Sequence, residues 1–170
     1  MRSTDDSQTL ALFGADEIPP PPPVPLPGAC SFGPWIEFVV HGDAKPQGSL
    51  QSFYVAKLGR TVTPQKQSVV DWRTRLADAG AQVVLARGGE LLDGPVQIQA
   101  VIYSLKPKSW PRWRVLPSTR PDWDKLARAI GDALSGVVYR DDALIVDAHV
   151  AKRCGEPARC EVRVREIRER

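Results

Sequence analysis

Cysteine is scarce in this chain. Only Cys30, Cys154 and Cys160 occur, and no hydrophobic stretch near the N-terminal end is long enough to serve as a signal peptide. An odd, small number of thiols excludes a disulfide framework, and two neighbouring thiols without further partners do not make a zinc site. Reduced cysteines in a cytoplasmic setting are expected. Histidine is as rare: His41 and His149 stand apart and are expected to be structural or exposed, not ligands. There is no glycine-rich phosphate loop, no apolar run of membrane-spanning length and no internal repeat. Net charge is low as well, with 23 Lys+Arg against 20 Asp+Glu giving +3, so the information lies in how charge is distributed.

What is present suffices for one domain, since 170 residues can enclose a core of ordinary size. Residues 1–32 are polar and then proline-rich, with Ile18-Pro19 through Pro27-Gly28 reading as polyproline II, and are expected to form a disordered leader. The domain is expected over 33–170. It opens with a strand at Trp35–Val40, followed by a break from Gly42 to Gly48 and a hairpin of 53–55 with 61–63 around Leu58-Gly59. From Pro64 the pattern turns helical, with Val69, Trp72, Leu76, Ala79 and Val83 on one stripe ending near Gly88-Gly89. Val96, Ile98, Ala100 and Ile102 alternate with Gln97, Gln99 and Val101 as a half-buried strand. Leu144, Val146, Ala148 and Val150 alternate again, and Val162 and Val164 mark the last strand. The order β-β-β-α-β-α-β-β describes an α/β fold: a single domain with a mixed sheet and two main helices.

Between the last two alternating patterns and the loop before them, five carboxylates fall within 21 residues: Asp122, Asp124, Asp132, Asp141 and Asp142. Two carboxylates at i and i+2 where a helix begins, with another pair at the head of a strand, can converge on one hard cation such as Mg²⁺ or Mn²⁺. That arrangement points to metal-assisted phosphodiester hydrolysis. The ordinary explanation is an N-cap for one of Asp122 and Asp124 and a polar turn for Asp141-Asp142. An EF-hand is excluded because positions five and six counted from Asp122 are Leu126 and Ala127, where an oxygen ligand and a glycine are required. The intervening helix shows Leu126, Ile130, Ala133 and Leu134 on one face, ended by Ser135-Gly136. Asp124, Arg128 and Asp132 share another face at i, i+4 and i+8.

Directly before the acidic run, Lys106, Lys108, Arg112, Arg114 and Arg120 occur with no acid among them, together with Trp110, Trp113 and three prolines. Such an irregular cationic loop can follow a phosphate backbone and set a tryptophan against an unstacked base. Tryptophans tucked onto the core would explain the aromatics equally well.

The run Pro121 to Asp142, with Lys152-Arg153-Cys154-Gly155-Glu156-Pro157 after it, resembles the RusA-type Holliday junction resolvases, densely over 120–167 and by element order alone over 35–105. The resemblance implies a dimer-forming, RusA-like domain in which Asp122, Asp124 and Asp142 hold the metal, with Asp141 beside them. Arg128 falls where the family usually has its essential lysine, and Lys125 where it commonly has asparagine. Arginine keeps the charge but cannot give up a proton at neutral pH, so either Lys125 or Arg128 fills that role. The ending is expected to turn a hairpin that sets Cys154 across from Cys160.

The function so implied is a Mg²⁺-dependent endodeoxyribonuclease, with Mn²⁺ as a substitute, cutting branched DNA by metal-activated water. Its DNA contacts would be Lys106, Lys108, Arg112, Arg114, Arg120, Lys152 and Arg153. A four-way junction needs paired cuts, which a C₂ homodimer supplies. No membrane association is expected, and the setting is the cytoplasm of a bacterium or a phage-infected host. Two other classes fit part of the pattern: a non-cleaving structure-selective DNA-binding protein, and a metal-dependent nucleotide-sugar enzyme with an Asp-x-Asp site.

Overall fold

The computed structural model describes residues 30–48, 53–55, 57, 59–62 and 66–169. Residues 1–29 of the expected leader, and Leu58, Thr63 and Pro64 of the expected hairpin and helix start, lie outside the described residues. The strands are β1 (Cys30–Phe32), β2 (Ile36–His41), β3 (Phe53–Val55), β4 (Arg60–Val62), β5 (Val96–Ser104), β6 (Ile145–Cys154) and β7 (Arg159–Glu169). Two helices, α1 (Gln67–Ala86) and α2 (Trp123–Leu134), complete the fold. The order matches the sequence reading with one addition. Residues 30–32, assigned to the leader, form β1 and pair antiparallel with β7 from Cys30↔Glu169 to Phe32↔Ile167.

The main sheet runs β1-β7-β5-β6, with β2 also paired to β7, and β3-β4 is a separate hairpin. The sheet is mixed: β5 pairs antiparallel with β7 and parallel with β6. A parallel pair requires a crossover, and α2 supplies it. The core lies between the sheet and the two helices and is built from Ile36, Phe38, Trp72, Leu76, Ile98, Leu126, Ile130, Leu134, Tyr139 and Val162, among others. Leu126, Ile130 and Leu134 are at most 2% exposed, and each such side chain contributes about 1.5–3 kcal/mol by leaving water.

Four expectations are corrected. The buried stripe of α1 is Val69, Trp72, Leu76, Gly80 and Val84. Ala79 and Val83 flank it, partly buried and packed against the core. Gly80 is selected by space: a Cβ there would lie 2.9 Å from Val138 Cγ2 and 3.2 Å from Leu134 Cδ2, so α1 and α2 close in where it stands. Second, β5 is not half-buried. It is the central strand, and Gln97 and Gln99 on its far face are buried, the former donating to Asp147 Oδ2 at 2.5 Å and the latter accepting from Arg163 Nε at 2.7 Å. Third, Val146 and Ala148 of β6 are exposed, because β6 is an edge strand and its register slips opposite Val96/Gln97.

The fourth correction concerns the chain's last two strands, which form no hairpin. β5 lies between them, with Ser104 opposite Cys154 and Ile102 opposite Cys160, so the two thiols are a strand apart. The connection passes over the end of β5, where Gly155 N donates to Ser104 O. A Cβ on Gly155 would sit 2.6 Å from the Tyr103 ring, so only glycine makes that crossing.

Candidate active site

α2 starts at Asp122, whose extended backbone (φ −66°, ψ 142°) is that of an N-cap, yet its side chain makes no capping hydrogen bond. Its Oδ2 instead pairs with Lys125 Nζ at 2.9 Å. The Lys125 hydrogen bond and charge, with smaller contributions from Arg120 and Lys152, hold the Asp122 carboxyl below the usual carboxylate range against a weak opposing effect of burial. Asp124 occupies the first turn, where a negative charge suits the positive end of the helix dipole. Both carboxylates are exposed.

The segment delivering them is strapped to β6. Lys152 Nζ donates to Thr119 O at 2.7 Å and Pro121 O at 2.8 Å, and the Trp123 indole donates to Val150 O at 2.6 Å. Lys152, read from the sequence as a DNA contact, is therefore engaged in holding the backbone beside Asp122. Nothing in the sequence distinguishes such a lysine from a phosphate contact. The loop after Gly42, read as a simple break, also reaches this helix: Gln47 N donates to Lys125 O at 3.0 Å, and Gln47 is buried.

At the far end of α2, Tyr139 is fully buried and donates its hydroxyl to Gly131 O at 2.9 Å. Burial first, then the charges of Asp142 and Asp132, push its hydroxyl far above the ordinary tyrosine range. Arg140 clamps the following turn, with Nη2 on Asp93 Oδ2 at 2.9 Å, Nε on Asp93 Oδ1, and its backbone N on Leu92 O at 3.1 Å. Asp141 Oδ1 accepts from Ala143 N at 2.8 Å, capping the single 3₁₀ turn Asp142–Leu144. For Asp141 the plain turn reading holds. Asp142 remains exposed.

Asp122 and Asp124 stand at the start of α2, and Asp142 stands in the 3₁₀ turn that follows it. α2 runs antiparallel to β6, with Trp123 at Val150 and a Cβ on Gly131 within 3.7 Å of Ile145 Cδ1. From Asp124 to Gly131, beside which Ile145 packs three residues after Asp142, the helix rises about 10 Å at 1.5 Å per residue. Among the described residues no three His, Cys, Asp or Glu side chains gather at a point. In kind the donors suit a hard cation, being exposed oxygen ligands with Asp122 held ionised.

Of the expected DNA-binding cations, Lys106 Nζ donates to Arg112 O at 3.0 Å, Arg114 Nη2 to Ser118 Oγ at 3.2 Å, and Arg153 Nη1 to Lys152 O at 2.9 Å. Among the described residues Lys108, Arg112, Arg120 and Arg128 are exposed, and their side chains make no hydrogen bond or ion pair. Arg128 thus projects from α2 between the two acidic ends as an uncommitted cation, whereas Lys125 is committed to Asp122. Of the two histidines, His41 is exposed, and His149 Nε2 stands 3.2 Å from Asp147 Oδ1. No helix among the described residues is long and apolar enough to cross a membrane.

Comparison with known proteins agrees with the acidic motif. A family model described as endodeoxyribonuclease RusA matches residues 43–165. A curated relative, the uncharacterized protein YqaN of Bacillus subtilis (strain 168), is 28% identical, with the alignment covering 78% of this chain and 96% of that protein.

Proposed function

The chain belongs to the endodeoxyribonuclease RusA family, and on that premise we propose that it hydrolyses phosphodiester bonds in four-way DNA junctions with the help of a divalent cation. The observation that carries this reading is the exposed pair Asp122 and Asp124 at the mouth of α2, strapped next to a loop of uncommitted cations. Mg²⁺, or Mn²⁺ in its place, would be held by Asp122, Asp124 and Asp142, and supplies charge neutralisation at phosphate and acidification of water. The residues of the chain do the rest. Lys108, Arg112 and Arg120 fix the backbone by charge, and Arg128 stabilises the extra negative charge that develops on the phosphoryl oxygens.

A rigid helix separates the two acidic ends, so in this reading the aspartates act together across two copies, Asp122 and Asp124 of one protomer with Asp142 of its partner. A C₂ homodimer then carries two such sites, which suits the two-fold symmetry of a four-way junction and its paired cuts.

The test is incubation of the protein with a synthetic four-way junction and Mg²⁺, read on a denaturing gel, beside the Asp124→Asn variant. Wild-type protein should cut. The variant should bind the junction, because affinity rests on the basic contacts, and should not cut, because it has lost a charged oxygen ligand. Cutting by Asp124→Asn at near wild-type rate would remove that residue from the mechanism. Junction binding without any cutting by the wild type would leave a non-cleaving DNA-binding protein.

A further inference from the structure

The segment between β5 and α2 contains two tryptophans in opposite situations. Trp110 is partly covered, with the Arg114 guanidinium stacked 3.9 Å from its ring centre. Trp113 is 81% exposed, and Val115 and Leu116 next to it are each 59% exposed. Among the described residues, five of the ten exposed large apolar side chains fall between 105 and 123. Trp113, Val115 and Leu116 stand among cations, in a stretch of chain without an acid from Lys106 to Arg120.

This exposure is built in by the backbone. Trp110 N donates to Pro107 O at 3.0 Å, Arg114 N to Pro111 O at 3.1 Å and Ser118 N to Leu116 O at 2.9 Å, while Lys106 Nζ ties Arg112 O back to the loop's start. Successive turns thus place Trp113 at an exposed bend, and Lys152 anchors the loop's end at Thr119 and Pro121. An apolar tip ringed by cations needs a partner that is anionic outside and offers flat apolar faces inside. Intact duplex offers only the first. A branch point, where base pairs end and stacking is interrupted, offers both.

We infer that Trp113, backed by Val115 and Leu116, is a wedge that stacks on the unpaired or unstacked bases at the branch of its DNA substrate. The wedge rests on the branched-DNA reading and adds how the branch is distinguished from duplex: cations bind phosphate on either, and the wedge finds its counterpart only at the branch. Its reach from the Asp122 end is set by the strap at Lys152, so the bases it engages adjoin the phosphates presented to that end.

The test compares wild type, Trp113→Ala and Trp113→Phe in EDTA for affinity to a four-way junction and to a linear duplex of the same sequence. Permanganate reactivity of thymines placed at the branch is the second readout. Trp113→Ala should lose junction affinity by about 5- to 100-fold, the usual range for one base–aromatic stack, and should no longer raise branch thymine reactivity. Duplex affinity should stay within about twofold, since phosphate contacts carry it. Trp113→Phe should recover most of both junction signals. Equal loss on junction and duplex, or no loss on either while the wild type prefers and cuts the junction, would overturn the wedge alone. A wild type that does not prefer the junction would overturn the branched-DNA reading and the wedge with it.

Discussion

Mixing two inactive variants tests whether the acidic ends act across protomers. Asp124→Asn removes a proposed ligand at the start of α2, and Asp142→Asn removes a proposed ligand in the 3₁₀ turn after it. Each variant alone should lose at least about 100-fold in single-turnover cleavage of a junction, the scale for losing one contact to the reacting centre. If sites combine Asp122 and Asp124 of one protomer with Asp142 of its partner, a heterodimer of the two variants has one doubly damaged site and one intact site. Random pairing makes half of all dimers mixed, so about a quarter of sites are intact. Co-refolded or co-expressed variants should therefore recover up to about 25% of wild-type nicking, one strand per junction at a time, because each mixed dimer has a single working site. If all three aspartates worked within one chain, every site in the mixture would carry a lesion. A mixture no more active than its components would refute the two-copy arrangement.

Arg128→Ala should cut cleavage by about 100-fold or more, Arg128→Lys should retain most activity, and Lys125→Ala should be milder than Arg128→Ala, since Lys125 is already spent on Asp122; the reverse ranking in single-turnover assays would assign the role to Lys125. Lys152→Met should slow cleavage roughly fivefold, because two charge-assisted hydrogen bonds worth about 1 kcal/mol together at this half-exposed position are lost. Its junction affinity should keep the same salt dependence, whereas a true phosphate contact would lower the slope of log K against log salt by about one. Gly80→Ala should lower the melting temperature by about 2–6 °C, as overpacking of about 1–3 kcal/mol against the stiff, fully buried Val138 outweighs about 1 kcal/mol of helix propensity. A higher melting temperature would show that the two helices have room to separate.

Much of the fold follows from local rules. A short apolar run located β2, alternating apolar residues located β5 and β6, and a 3.6-residue stripe located α1 and α2. Ser135-Gly136 ends α2 as expected, Gly136 having a φ of +73°. These features are legible because each reflects one element's own geometry against an apolar surface. The errors fell where a second element decides the outcome. Gln97 and Gln99 read as a wet face, yet flanking strands bury them; Val146 reads as core, yet lies on an edge; the run from Cys154 to Cys160 reads as a hairpin, yet straddles β5.

The acidic site divides in the same way. Sequence alone determined the chemical kind of the candidate site: five carboxylates, an arginine where the resemblance puts a lysine and a cationic tryptophan loop, because donor type and charge are properties of single residues. Tertiary structure alone decided who is free and who is near. It engaged Lys125 with Asp122, Asp141 with its own turn and Lys152 with the loop backbone, and it left Arg128 and Trp113 in solvent. It also placed a helix between Asp122 and Asp142 in the chain. Twenty residues of separation carry no distance until the backbone between them is known, and a helix converts sequence spacing into length where a turn would have brought it to contact.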